Sequence, residues 1–503
     1  MSDFEKLGKS LMLNYINLLQ DIFLSHVIGF IGSILIIRIL QPIDYGILSI
    51  AMTVPYMVGL FGNLGVNTAV TRFSAKYKEV DINKAYNVIT SGMLFDFSYG
   101  TLLAIIGYFA APFIFTYIYN KPEIIPYGQL ASLYTIPYWG LSSIFSGLLG
   151  FEMTKHNSGI WIVYYSLQTI LSVGLGITFL KVYGVIIGYS LAYAGAIVYG
   201  IYVLSKYSML RSFPSISTIK ELVSFGFPLV LPGVGGTVAG FYNSSIVNRI
   251  LTIFEISNLT ASSKIGFLFD TIFNPLGFAL QPIFSKLDYN NKQNVINIVN
   301  ELYKIGMIIQ VPILFAVIFL SNQIIYLLAG KEYTLAPLLL RLSLIGPLIS
   351  TASGSGILGS LILFRGYTKI TAKINLIGVV INSVLLTIFL PTLGYFGYFL
   401  TGWISWIPSY IMSYSVVKNM YKDYKLPLYM VGKVYLISFL LLFPLVFIKS
   451  EFSLILGVIL VFILFKIYVK MKIIRRKEVE ILISALEESN LRFLSKFLKF
   501  FLS

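Results

Sequence analysis

Long apolar blocks recur along this chain, and each has about the length needed to cross a bilayer. Examples are Gly100–Phe115, Gly159–Leu180, Gly184–Leu204 and Val434–Ile448, which short basic loops separate. A membrane-spanning helix needs roughly 20 mostly apolar residues. Only 12% of the residues are charged, whereas an ordinary soluble domain has about 25%. The sequence therefore predicts an all-α polytopic membrane protein with no water-soluble domain between its helices.

The lengths of the apolar blocks predict about fourteen spans, of which the third and fourth have uncertain edges. We place them at residues 14–40, 43–67, 86–109, 128–151, 158–180, 183–204, 224–250, 256–281, 304–328, 336–363, 370–390, 394–417, 430–448 and 452–470.

The basic residues predict the orientation of these spans. If the N-terminus is cytoplasmic, most of the 37 lysines and arginines fall on the cytoplasmic side, as the positive-inside rule requires. We therefore expect a multi-pass protein of the cytoplasmic membrane with both termini in the cytoplasm. The net charge of +16 then reflects topology and contact with membrane lipids, and nucleic acid is not an expected partner.

A short repeat divides the chain into two halves. Arg38-Ile39-Leu40 recurs as Arg249-Ile250-Leu251, and the same offset carries Asn63 onto Asn274. The copies fall at matching places in two six-span lobes, so we expect a pseudo-two-fold axis along the membrane normal, as in transporters with parallel repeats. The predicted parts are an N-lobe (1–205), a C-lobe (206–420), two extra spans (421–470) and a basic amphipathic tail (471–503) suited to lying on the membrane surface.

Polar side chains inside the spans are the candidates for a substrate cavity, because such groups are costly in hydrocarbon. Ser263, Asp270, Asn274 and Gln281 form one helical stripe, with Lys264 beside it. The remaining cavity candidates are Asp21, Ser25, His26, Asn63, Asn67, Asp96 and Arg341.

Each group of candidates also has a purely structural interpretation. The aspartates could form buried pairs with Lys264, Arg341 or hydroxyl groups, although buried ion pairs stabilise a fold poorly.

Arg38 and Arg249 are candidates for the outer mouth, or they could snorkel and pair with Asp44 or Glu255. His26 could titrate in proton coupling or serve as an interhelical donor.

The seventh span carries helix-weakening residues, among them Pro228, Pro232 and Gly233. Proline interrupts the hydrogen-bond ladder of a helix and bends it. A hinge and a static kink are both compatible with this pattern.

Several classes of chemistry lack their sequence signals. There is no P-loop, and two histidines without any cysteine offer no zinc-type metal site. No extramembrane loop is large enough for a cluster of catalytic acids. We expect a secondary or potential-driven transporter without a cofactor, and H⁺ or Na⁺ coupling is compatible with the in-span carboxylates.

Several short motifs resemble one transporter family. They are Arg38, Leu40, Pro42 and Tyr45-Gly46, then Gly65 and Ala69-Val70-Thr71-Arg72, then Ser224-Phe225-Gly226-Phe227-Pro228, and finally Pro282 and Ser285-Lys286-Leu287. The chain thereby resembles the Wzx-type polysaccharide flippases. These belong to the superfamily that also contains the MATE multidrug exporters and the lipid II flippases.

The resemblance implies a MATE-like pair of lobes that moves a polyprenyl-linked oligosaccharide outward by alternating access. Glycan polymerases or transferases would be its partners. It also implies a cationic cavity, for which Lys264 and Arg341 are the in-span candidates. The aspartates at 21, 96 and 270 depart from that pattern. A MATE-like cation-coupled multidrug exporter and a membrane glycan polymerase or ligase remain as alternatives.

Overall fold

The computed structural model describes residues 3–266, 284, 287, 289–448, 450 and 452–473, with side chains throughout except at residues 3–26 and Pro232. Within these ranges the regular elements are all helical, which confirms the all-α prediction. The helices are α1 (Asp3–Ala51), α2 (Thr53–Val58), α3 (Val66–Tyr77), α4 (Ile82–Phe113), α5 (Ile125–Ser132), α6 (Thr135–Gly140), α7 (Ser142–Gly150), α8 (Thr154–Ile177), α9 (Lys181–Lys206), α10 (Ile216–Ile250), α11 (253–266), α12 (Lys292–Phe319), α13 (Ser321–Leu328), α14 (Ala336–Ser353), α15 (Ser355–Phe364), α16 (Thr368–Leu393), α17 (Tyr395–Met420), α18 (Leu428–Leu442) and α19 (Phe452–Lys470).

Nine helices among the described residues are long and apolar enough to cross a membrane, or ten if the bent α10 is counted as one span. The prediction of a polytopic helical membrane protein is confirmed, whereas the count of fourteen spans is not. Large apolar side chains such as Phe109, Ile170 and Val198 are exposed on these helices. Such surfaces suit contact with lipid chains.

Unbroken spans were predicted closely, and broken ones were not. The predicted spans 452–470 and 183–204 match α19 and α9 to within a few residues. In contrast, the predicted span 43–67 ends as a short α2, a turn and α3, and the predicted span 128–151 is divided among α5, α6 and α7. The length of an apolar block locates a span, but it does not reveal interruptions of the helix inside that span.

The chain forms two compact units, each described here by itself. The first unit contains residues 24–260 and 386–395, and the second contains the remaining described residues. In the second unit, α12 packs against α14, α18 and α19. The predicted lobe boundaries at 205/206 and 420/421 stay a prediction, as does the tail, of which 474–503 lie outside the described residues.

Helix α4 is central to the first unit and contacts α2, α3, α5, α6, α7 and α10. Gly92, Gly100 and Gly107 allow close packing, because an added Cβ would lie 2.6–2.8 Å from atoms of Ser143, Thr135 and Ser132 respectively. Small residues let helix backbones approach closely in membranes. Asp96 falls on the same helical face as these glycines, so the close packing brings its carboxyl group against α7.

Helix α10 packs against the turn before α3 through a contact between two glycines. A Cβ on Gly226 would lie 2.5 Å from the carbonyl carbon of Gly65, and Gly65 itself has a φ of +75°. Beside this contact, Phe225 packs edge-on against Phe73 with 5.2 Å between ring centroids. The guanidinium of Arg72 lies 4.6 Å from the centre of the Phe225 ring, which adds a cation–π attraction.

We predict that Gly226→Ala destabilises the protein by about 1–3 kcal/mol, the usual cost of overpacking. Gly240→Ala on the same helix is the matched control, because a Cβ there meets no atom within 4 Å. Both changes add the same helix propensity of about 1 kcal/mol, so the difference between their thermal unfolding temperatures in detergent isolates the steric effect. Equal unfolding temperatures would contradict the close contact.

Candidate functional site

Asp96 lies at the centre of a buried polar network in the first unit. Its side chain is 0% exposed. Its Oδ1 accepts a hydrogen bond from Asn63 Nδ2 at 3.1 Å, and its Oδ2 accepts one from Ser143 Oγ. The same Asn63 amide nitrogen donates to Ser142 Oγ at 3.1 Å. Two predicted cavity residues, Asn63 and Asp96, are therefore in direct contact.

Neutral groups supply the hydrogen bonds to this carboxyl group. Within the described ranges, no lysine or arginine forms an ion pair with Asp96. Charge in apolar surroundings is costly unless it is paired. The Asp96 carboxyl group is therefore satisfied by hydrogen bonds from neutral groups within those ranges.

A strained turn and the start of α7 place the partners of Asp96. Asn63 lies in the turn between α2 and α3, where Gly62, Leu64 and Gly65 all have positive φ. The turn makes its own backbone bonds, such as Gly62 N–H to the Gly59 carbonyl at 2.9 Å. Since Leu64 is not a glycine, its φ of 55° is a local strain of the kind that concentrates at functional sites. Ser142 begins α7, one residue after Leu141, whose helical φ of −76° and ψ of −21° continue the backbone of α6 into α7.

A cavity of about 200 Å³ lies beside the network and shares Ser142 with it. Its walls combine aromatic rings with amide and hydroxyl groups. The lining residues are Asn67, Tyr138, Trp139, Leu141, Ser142, Phe145, Ser146, Trp161 and Tyr193. Of these, sequence reasoning identified only Asn67. The aromatic residues were overlooked because tyrosine and tryptophan within an apolar block have the same pattern as core residues.

The acidic residues offered as partners of the two predicted outer-mouth arginines make other contacts. Arg249 is exposed and donates to the carbonyls of Tyr117 and Ile118 at 2.7 and 3.3 Å. Glu255 instead caps α11, accepting from Thr252 N at 2.8 Å. The acidic residue offered as a partner for Arg38, Asp44, lies 3.6 Å from Lys181 Nζ.

Lys121 completes a reciprocal arrangement with Arg249. Its side chain is 8% exposed, and its ammonium group donates to the Asn248 carbonyl near the end of α10. Burial lowers the pKa of the Lys121 ammonium, while Glu123 and Glu255 act in the opposite direction. The last carbonyls of a helix lack internal donors and attract cations. The π-helical turn Ile114–Ile118 that follows α4 and the end of α10 thus each receive a cation located near the other element.

The predicted hinge region is bent. The segments Ile216–Leu231 and Gly233–Ile250 meet at an angle of 65°, so the break falls at Pro232, between the predicted hinge residues Pro228 and Gly233. Proline accounts for the bend. Motion at this bend stays a prediction.

The other predicted site residues are only partly described. Arg341 Nε donates to Ser321 Oγ, and Ser263 and Lys264 carry exposed side chains on α11.

The side chains of Asp21, Ser25 and His26 lie outside the described residues, as do Asp270, Asn274 and Gln281. No group of three or more His, Cys, Asp or Glu side chains suited to a metal occurs in the ranges that the structure describes.

A family model of polysaccharide biosynthesis proteins matches residues 13–288, more than half of the chain. The chain belongs to the polysaccharide biosynthesis protein family. The matched region contains the Asp96 network and every residue of the cavity. Across 382 residues, the chain is also 25% identical to an uncharacterized membrane protein of Methanocaldococcus jannaschii, covering 70% of this chain and 85% of that protein.

Two solved structures show the same fold. The lipid II flippase MurJ in an inward closed conformation matches with a TM-score of 0.70 and 18% identity, covering 91% of this chain and 100% of that one. A multidrug resistance MATE family transporter in an inward-facing conformation matches with a TM-score of 0.65 and 15% identity, covering 82% and 100%. The MATE-like fold predicted from sequence is confirmed. One of these two neighbours is a flippase and the other is a transporter.

We predict that Asp96→Asn unfolds at or above the wild-type temperature, because the amide keeps hydrogen bonds and removes the cost of burying a charge. Asp96→Leu should lose about 1–3 kcal/mol, since it leaves Asn63 and Ser143 without their acceptor. Thermal unfolding in detergent compares the two. If both variants lose equal stability, the charge itself holds the network together, contrary to this description.

Proposed function

We propose that this protein moves a polyprenyl-linked oligosaccharide across the cytoplasmic membrane, for the assembly of surface polysaccharide or glycoprotein. The observation that carries the proposal is the buried network of Asn63, Asp96, Ser142 and Ser143 inside a bundle of apolar helices. Family membership supports a polysaccharide substrate. The basic loops support cytoplasmic termini, and we propose that the movement is outward from the cytoplasmic leaflet.

The physical problem of such transport is the glycan, because each unsatisfied hydroxyl group costs several kcal/mol in hydrocarbon. The lipid chain can remain in the bilayer, against the exposed apolar surfaces of the helices. The sugar then crosses along polar side chains, whose hydrogen bonds replace those that its hydroxyl groups make with water. The polar interior of the first unit offers side chains of this kind. Polymerases or transferases that use the flipped product are the expected partners.

We further propose that Asp96 takes part in H⁺ or Na⁺ coupling and that α10 pivots at Pro232 during alternating access. A coupled carboxyl group changes charge as the ion binds and leaves. Coupling of two binding events typically changes an affinity by about 5–150-fold.

The test measures flipping of a fluorescent polyprenyl-pyrophosphate oligosaccharide in proteoliposomes under an ion gradient. We predict that Asp96→Asn, which is expected to fold, flips more slowly than the wild type and loses its dependence on the ion gradient. Glu152→Gln is the matched control, because that carboxylate forms an exposed pair with Lys78 at 3.0 Å and should flip at the normal rate. Normal flipping by Asp96→Asn would remove Asp96 from the mechanism.

Loss of the gene should strand the lipid-linked precursor in the inner leaflet. The second candidate is a MATE-like exporter of cationic drugs, which the acidic residue Asp96 favours. Under that alternative, the same deletion would lower resistance to cationic drugs and leave the distribution of the precursor unchanged.

A further inference from the structure

The cavity beside Asp96 combines aromatic walls with hydrogen-bonding groups. Tyr138, Trp139 and Trp161 contribute large rings, while Asn67, Ser142 and Ser146 contribute an amide and two hydroxyl groups. Electron-rich ring faces attract the electropositive C–H groups of a sugar ring. A few convergent polar groups then fix the orientation of a ligand within a mostly apolar pocket.

The lining rings are held in place by a second layer of aromatic residues. Tyr134 stacks on Tyr138 with 5.4 Å between ring centroids, and Tyr165 stacks on Trp161 at 5.9 Å. Rings fixed in this way lose little freedom when a ligand enters, which favours binding. The arrangement is therefore already formed before a sugar arrives.

Several polar groups around the cavity retain hydrogen-bonding capacity. Ser142 Oγ accepts from Asn63, so its own proton is available for a donated bond. Asn67 uses its oxygen to accept from Thr68 N at 2.8 Å, which leaves the amide hydrogens. The indole nitrogen of Trp139 is buried and has no partner among the residues that the structure describes.

The size of the cavity limits the ligand. Its volume of about 200 Å³ is below the roughly 300–1,000 Å³ typical of drug-sized ligand pockets. One monosaccharide ring is a suitable occupant, whereas a whole oligosaccharide is too large.

We infer that this cavity is a saccharide subsite that binds one hexose unit of the lipid-linked glycan, with Trp139 and Trp161 against the ring and Ser142 bonded to a hydroxyl group. The inference rests on the proposed function and extends it from transport to recognition. Because Ser142 also contacts Asn63, a bound sugar touches the same network that holds Asp96.

The test measures binding in nanodiscs with two kinds of probe, a short-chain prenyl pyrophosphate and the same compound bearing one glucose, galactose or N-acetylglucosamine. For the wild type, at least one sugar should tighten binding by about tenfold over the bare probe. Trp161→Leu and Trp139→Leu should abolish that gain without weakening the bare probe. Trp161→Phe, which keeps an aromatic face, should retain part of it.

Trp403→Leu in the second unit is the matched control and should keep the full gain. The inference is overturned if no sugar improves binding to the wild type, or if the gain survives in both cavity variants. It is also overturned if those variants weaken all probes equally. Failure of every probe to bind, together with absent flipping, would instead reject the proposed function.

Discussion

The surrounding hydrocarbon is the constraint on which this structure depends, because no water is available there to satisfy a polar group. Each polar side chain within the helices must find its partners inside the protein. The Asp96 carboxyl group does so through Asn63, which lies in the turn between α2 and α3, and through Ser143 on α7. The turn at Asn63 thus brings a hydrogen-bond donor to the polar interior and is not a defect of the bundle.

The same constraint accounts for the end of α10 and for the π-helical turn Ile114–Ile118 that follows α4. Carbonyl groups at a helix terminus lack internal donors, and here Arg249 and Lys121 donate hydrogen bonds to them. Nearer the start of α10, the Gly65–Gly226 contact brings the backbones together. Helix α10 therefore has contacts on both sides of its bend at Pro232, and motion at that bend stays a prediction.

Sequence reasoning predicted the fold well, because apolar blocks long enough to cross a bilayer and joined by short loops must form helices there. It also identified Asn63 and Asp96, since polar residues in apolar blocks are conspicuous. It could not predict their contact, which depends on the turn that holds Asn63 and on close packing along α4. Trp139 and Trp161 were missed because they line a cavity, a feature of tertiary packing. The assignment of Arg249 to the outer mouth stays a prediction, and Glu255, offered as its partner, caps its own helix.

The first unit has a cavity with polar groups inside it and an apolar surface on its outside, so we predict that water reaches the cavity while lipid covers the outside. The chain contains no cysteine, so single cysteines can report on each surface. A water-soluble maleimide needs the thiolate, which apolar surroundings suppress. The account predicts that Ser142→Cys reacts at least about tenfold faster than Ile170→Cys, whose residue is 65% exposed on α8. Protection of Ser142→Cys together with rapid labelling of Ile170→Cys would contradict it.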